Sequence, residues 1–206
     1  MTKFYGFANE QTNRLVANLM KDNKYEKILA CSTRMISRDG FNSVSLQQIA
    51  DRVGLHKSTL FHYFKNKKEL LLRILEKSVG EVNKDLENII ETTGLEPEEK
   101  LRRAIDNHLV SLSEHIDNVN IYLNELRRLP KKDRKVYLRK RKKYEENFAK
   151  IVVAMKTKGY FTKLDTKITT FGILGMLNWV AKWYKRDGRL DIRDVSIIFY
   201  RMLTEK

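Results

Sequence analysis

The amino-acid sequence predicts an all-α protein, and three observations support that prediction. Apolar residues recur at intervals of three and four through most of the 206-residue chain, which is the period of a helix with one buried face. No segment shows the apolar–polar alternation of a half-buried strand. Between the periodic segments lie residues that stop or start helices: Gly40, Gly54, Gly94, Pro97 and Pro130.

The first two predicted helices form a tight pair. One runs from Asp22 to Gly40, and the other follows Ser45 and ends at Gly54. Ser45 with Gln48 three residues later matches a capping box, in which each side chain bonds the backbone of the other residue. Gly54 occupies the position where a helix needs a left-handed residue to stop and turn.

The next predicted helix faces outward, and Leu60 and Phe64 form its buried edge. Its other positions carry polar or amphipathic side chains: Lys57, Ser58, Thr59, His62 and Tyr63. Asn66 then caps a long helix that begins at Lys67 and continues to Thr92. The later helices are predicted from Pro97, over about 117–129, and over 131–158, 162–185 and 191–203. An outward helix of this composition in a basic chain suits a DNA groove.

The composition indicates a chain with a real core and a strong positive charge. Apolar residues make up 42% of the chain, which excludes a disordered protein. The formal net charge of +15 indicates a polyanionic partner, either nucleic acid or an anionic membrane surface. The single Cys31 excludes an internal disulfide, and we expect it in the core. With no secretory signal, and with the apolar stretch 171–181 too short to span a bilayer, we expect a cytoplasmic protein.

A spaced pattern runs without a gap through the segment from residue 22 to about 70. It consists of Ser45, Ile49-Ala50, Val53-Gly54-Leu55, the run from Ser58 to Phe64, and Lys67 with Glu69-Leu70. This pattern resembles the DNA-binding domain of the TetR family of one-component transcriptional regulators. The resemblance implies an N-terminal arm over 1–21, a helix-turn-helix DNA-binding domain over 22–82, and a ligand-binding and dimerisation domain over 83–206.

The resemblance also implies the residues that contact double-stranded DNA. It places Gln47, Lys57, Ser58 and Thr59 near base edges, and Ser45, His62, Tyr63 and Lys67 near phosphates. The family usually has tyrosine where this chain has Phe61, so a phosphate-bonding hydroxyl is absent there and the ring can only pack against sugar. Glutamine can pair bidentately with adenine, and lysine can donate to guanine. The alternative for His62 and Tyr63 is that they are ordinary surface or half-buried aromatics.

The helix predicted over 131–158 has an apolar face that carries Arg141 and is surrounded by lysines and arginines. An apolar groove with a cationic mouth would fit an amphiphile with a phosphorylated or carboxylate head; the alternative is a solvated basic face. The stretch 175–190 is similar to the C-terminal helices of TetR-family repressors of fatty-acid degradation, which release DNA on binding long-chain acyl-CoA. Its aromatics could instead be interface and core residues. The candidate ligand-binding residues are Tyr137, Arg141, Tyr144, Phe148, Val152, Asn178 and Trp179.

The last two helices are predicted to form the face of a homodimer. The amount of apolar surface there favours an isologous contact, and two recognition helices about one DNA turn apart would recognise a near-palindromic operator. The candidate interface residues are Ile173, Leu177, Tyr184, Ile198 and Met202.

These features together predict a ligand-responsive DNA-binding regulator, a repressor released from its operator by a long-chain acyl-CoA or fatty acid. No catalytic or metal-binding motif is evident in the sequence, so we expect neither an enzyme nor a cofactor. Two alternatives stay open. One is a TetR-type regulator of an efflux or stress gene that senses an unrelated hydrophobic compound, and the other is a nonspecific nucleic-acid or membrane-surface binder that uses the basic run 131–143.

Overall fold

The computed structural model describes residues 23–126 and 130–205, apart from the side chains of Ser78, Tyr122, Leu123 and Asp133. Within these ranges the chain forms helices and no strand, so the all-α prediction is confirmed. The chain divides into two compact units between Arg73 and Ile74. The predicted N-terminal arm, residues 1–21, lies outside the described residues.

The helices of the described ranges follow the predicted order. They are α1 (23–39), α2 (Leu46–Val53), α3 (Lys57–Phe61), α4 (Lys67–Glu91), α5 (Pro97–Glu114), α6 (Ile116–Glu125), α7 (Lys131–Thr157), α8 (Thr166–Trp183) and α9 (Ile192–Thr204). α8 begins four residues later than predicted, because the side chain of Asp165 accepts the N–H of Ile168 and caps the helix there. α3 ends at Phe61, so the prediction that it continues through His62 and Tyr63 is wrong.

The first unit is built on short helices that are held by specific caps. Ser45 and Gln48 form the predicted capping box at the start of α2. Gly54 ends α2 in the left-handed conformation, at φ +71°, and its N–H bonds the carbonyls of Ala50 and Asp51. Phe64 lies beyond the end of α3 and is still buried, because its N–H bonds the carbonyl of Leu60 and keeps one further turn wound. These caps hold the outward face of α3 at a fixed angle to α2.

The core of the second unit surrounds α5, which contacts α7, α8 and α9. Its largest fully buried side chains include Phe148, Leu101 and Leu86, which come from three different helices. Ile173, Leu174 and Leu177 bring the inner face of α8 into the same core. The remaining face of α8 points away from this core.

A polar seam joins the part of α4 in the second unit to α7. The carboxylate of Glu87 accepts hydrogen bonds from Lys143 Nζ at 2.6 Å and from Asn147 Nδ2 at 3.2 Å. Asn147 Nδ2 also donates to Asn83 Oδ1 at 3.1 Å. Hydrogen bonding from Lys143 lowers the pKa of Glu87, so the seam contains a carboxylate that stays ionised. The seam sets the register of α4 against α7, and both helices line the cavity described below.

Candidate functional site

The residues predicted to contact base edges lie on the outer surface of α2 and α3. Gln47, Lys57 and Ser58 are exposed, and Thr59 is half-buried. α3 has a single fully buried position, Leu60, so the rest of this five-residue helix is available to a partner. This arrangement matches the predicted recognition helix.

Gln47 has a hydrogen-bond partner within its own helix. Its side-chain Nε2 donates to Asp51 Oδ1 at 2.8 Å. Contact with a base would require Gln47 to give up that bond, at a cost of about 0.5–1.5 kcal/mol. Lys57, whose exposed side chain extends from the first position of α3, is therefore the sharper candidate for base recognition.

Two of the residues predicted to contact phosphates also support the fold. Lys67 is half-buried, its Nζ donates to the carbonyl of Val44 at 2.6 Å, and the same ammonium lies 4.3 Å from the centre of the Phe41 ring. Lys67 therefore ties the start of α4 to the loop before α2. Tyr63 packs against Tyr25, with ring centroids 6.2 Å apart. Ser45 and His62 are exposed, as is Phe61, whose ring is 48% exposed.

The second unit contains a cavity of about 300 Å³, at the lower end of the range usual for ligand pockets. Its walls are mostly apolar and come from α4, α5, α6, α7 and α8. The lining residues are Val79, Val82, His108, Ser111, Leu112, His115, Asn118, Val119, Tyr137, Arg141, Tyr144, Glu145, Phe171, Leu174, Gly175 and Asn178. The most exposed of them are Arg141, Phe171, Gly175 and Asn178, so the cavity opens between α7 and α8.

Four of the seven predicted ligand-binding residues line this cavity: Tyr137, Arg141, Tyr144 and Asn178. Phe148 and Val152 do not line it, because both are fully buried in the core of the unit. Trp179 also lies outside the lining, and its side chain is 65% exposed on the outer face of α8. The apolar stripe of α7 therefore divides between a cavity wall and the core.

His108 is the lining residue whose place in the cavity sequence reasoning missed, since it had been weighed only as a metal ligand. Its Nδ1 lies 2.9 Å from the hydroxyl of Tyr144, and both side chains are buried. Burial lowers the pKa of His108 to about 4, against the opposing effect of the Asn178 side chain. Burial also raises the pKa of Tyr144. The signal for His108 was present in the sequence, because it is a polar residue on the otherwise apolar face of α5.

The predicted cationic mouth consists of one ion pair. Arg141 is the residue of the described basic run that lines the cavity, and its Nε donates to Glu145 Oε1 at 2.8 Å. Lys142 and Lys143 are paired with Glu146 and Glu87, outside the lining. The cavity wall therefore carries a paired cation and anion in place of the predicted positive cluster.

The structure corrects two of the predicted interface residues. Ile173 and Leu177 are buried within the unit and pack against α5 and α7, so they cannot form an outer surface. Tyr184, in contrast, is half-buried at the end of α8, and Ile198 and Met202 are exposed on α9. The outer face of α8 and α9 carries a different apolar set: Ile168, Gly172, Gly175, Trp179, Trp183, Ile197, Ile198 and Met202.

Two other kinds of site were searched for in the described part of the chain. No group of three or more histidine, cysteine or carboxylate side chains there is arranged to hold a metal ion. Among the same residues, no helix combines the length and the apolarity that crossing a bilayer requires.

Two protein-family models match the sequence. Residues 28–74 match the family described as "Bacterial regulatory proteins, tetR family". Residues 94–206, more than half of the chain, match the family described as "Tetracyclin repressor-like, C-terminal domain".

Individual relatives support the same match over different lengths. The uncharacterised HTH-type transcriptional regulator YerO of Bacillus subtilis is 31% identical, over 50% of this chain and 36% of its own length. The HTH-type transcriptional repressor KstR2 of Mycobacterium tuberculosis is 24% identical, over 82% of this chain and 86% of its own. Among solved structures, AibR in complex with isovaleryl coenzyme A and operator DNA is 26% identical and has a TM-score of 0.78, covering 87% of this chain and 97% of that one.

Proposed function

Because this chain belongs to the TetR family, and is therefore a DNA-binding transcriptional regulator with a ligand-binding domain, we propose that it represses genes from a near-palindromic operator and is released by an acyl-CoA or fatty acid. The cavity of the second unit is the observation that carries the effector assignment. It is lined mainly by apolar side chains and has room for an acyl group. The structure of AibR with isovaleryl coenzyme A supports an acyl-CoA as the class of effector.

We assign DNA contact to the exposed residues of α2 and α3 and to the residues that flank them. Base recognition is assigned to Lys57, Ser58 and Thr59, with Gln47 as a second contact that must first leave Asp51. Backbone contact is assigned to Ser45, His62 and Lys67, with the Phe61 ring against sugar and Tyr63 at the edge of the surface. The domain boundaries implied by this assignment are 22–82 and 83–206.

The dimer is assigned to the outer face of α8 and α9. Exposed tryptophans beside two glycines that have open space over their α-carbons allow close approach of another helix. A dimer through this face would present two recognition helices to two half-sites of one operator.

The proposal is tested by operator binding and its release. We expect footprinting on the DNA upstream of the chain's own gene to reveal a near-palindrome, and acyl-CoA to release the protein from it while coenzyme A alone does not. A Val119→Trp variant, which fills the cavity from α6, should keep operator binding and lose release. Val136→Trp, at an exposed position outside the lining, is the matched control. Protection with no preferred sequence, or release that is insensitive to Val119→Trp, would contradict the proposal.

Substitution of Lys57 and of Lys67 should have different effects on DNA binding. We expect Lys57→Ala to lower the affinity for the operator by about 1–3 kcal/mol and to leave binding to random DNA nearly unchanged, because base contacts carry the specificity. Lys67→Ala should weaken binding to both DNAs and also lower thermal stability, since Lys67 holds the carbonyl of Val44. Salt-dependent titrations on both DNAs measure the difference. Equal losses on the two DNAs for Lys57→Ala would contradict its role in base recognition.

A further inference from the structure

The charged groups of the cavity wall are already satisfied within the protein. The guanidinium of Arg141 is bonded to the carboxylate of Glu145 at 2.8 Å, and both residues belong to the lining. An entering carboxylate would meet this pair as a whole, with Glu145 repelling it and Arg141 already engaged. The wall therefore offers little net attraction to an anion.

The buried polar groups of the wall are also unsuited to a carboxylate. His108 and Tyr144 share one hydrogen bond at 2.9 Å, and both side chains lie among apolar residues of α5 and α7. Burial favours the neutral form of both groups, as the lowered pKa of His108 and the raised pKa of Tyr144 indicate. A hydrogen-bonded neutral pair can accommodate a carbonyl or hydroxyl, but it cannot compensate a desolvated negative charge.

We infer that this cavity selects an uncharged acyl derivative, a thioester in particular, and excludes the corresponding free carboxylic acid. The inference rests on the proposed function and narrows it, since that function alone admits both acyl-CoA and fatty acid. Burying an unpaired carboxylate is far less favourable than burying a weakly polar thioester carbonyl. Glu145, paired with Arg141, is then the specificity-determining residue that keeps the guanidinium from binding acids.

The test uses probes that share the same chain and lack the phosphates of coenzyme A. S-octanoyl-N-acetylcysteamine and octanoate are titrated into the full-length protein by calorimetry at pH 8, where free imidazole, with a pKa of about 6.5, is neutral. We expect the thioester to bind more tightly than the acid by more than about tenfold. In Glu145→Gln, which removes the negative charge next to Arg141 at nearly constant side-chain size, octanoate should bind more tightly while the thioester changes little.

Glu146→Gln is the matched control, because Glu146 is the next residue of α7, has its own ion pair with Lys142 and lies outside the cavity. It should leave both affinities unchanged. Octanoate binding to the wild type as tightly as the thioester would overturn the inference while leaving a fatty-acid effector, and hence the proposed function, intact. If neither probe bound and no acyl-CoA released the operator, the effector part of the proposed function would fail together with the inference.

Discussion

Lowering the pH from 7 to 4 is expected to reduce the free energy of unfolding by about 3 kcal/mol through His108 alone. The pKa of His108 is lowered from 6.5 to about 4 in the folded chain because the ring is buried beside Tyr144. Between these two values the unfolded chain binds a proton that the folded chain does not, so stability falls as the pH falls. Above 6.5 both states are neutral, and below about 4 both are protonated, so the loss is confined to that window.

Urea unfolding of the wild type and of His108→Gln at several pH values between 7 and 4 would measure this contribution. The variant should lose less stability across the window, because glutamine does not titrate. His56→Gln, at an exposed histidine before α3, is the control and should keep the wild-type slope. Glu99, whose pKa is lowered to about 2 by Arg102 and then Arg103, loses its stabilisation mainly below pH 4.5, and the difference between variants removes its effect. Identical pH dependence in wild type and His108→Gln would contradict the assignment.

The sequence predicted the first unit better than the second because its signals there are local. The capping box at Ser45 and the left-handed turn at Gly54 depend on residues within one turn of each other, so both could be recognised without tertiary information. The end of α3 could not, since Phe64 is apolar at helical spacing and is buried on both descriptions.

α8 shows why the interface was assigned to the wrong face. Ile173 and Leu177 repeat at helical spacing, and so do Ile168 and Trp179 on the opposite side. A helix that is apolar all round has no moment to show which side is the core. Only the packing of α5 and α7 decides that Ile173 and Leu177 face inward.

The charge run of α7 was misread for a different reason. Arg141 and Glu145 are four residues apart and so lie on one helix face, where they pair. This spacing was readable in the sequence, and weighing it would have reduced the predicted cationic mouth. Which residues line the cavity could not be predicted, because Val79, Val119 and Tyr137 come from three helices that are far apart in the chain.

Placing charges on the outer face of α8 and α9 is expected to abolish high-affinity operator binding. Ile198 and Met202 lie one turn apart on α9 and are 42% and 67% exposed, so aspartate at both positions should leave the fold of the subunit unchanged. In a dimer the same carboxylates would be buried against a partner without a cation, which opposes association. Each subunit would then contact one half-site, and losing the second contact should lower operator affinity by about 10²–10⁴-fold.

Sedimentation of Ile198→Asp/Met202→Asp should show a monomer where the wild type shows a dimer, and titration of operator and half-site DNA should show the loss on the operator alone. Half-site affinity should change little, because the recognition surface of α2 and α3 is untouched. Val153→Asp, at a position on α7 that is 52% exposed and outside this face, is the control and should remain dimeric. A double variant that stays dimeric and keeps its operator affinity would show that another surface joins the subunits. Because half-site binding is measured on the same protein, a folding defect would be recognised by losing both affinities together.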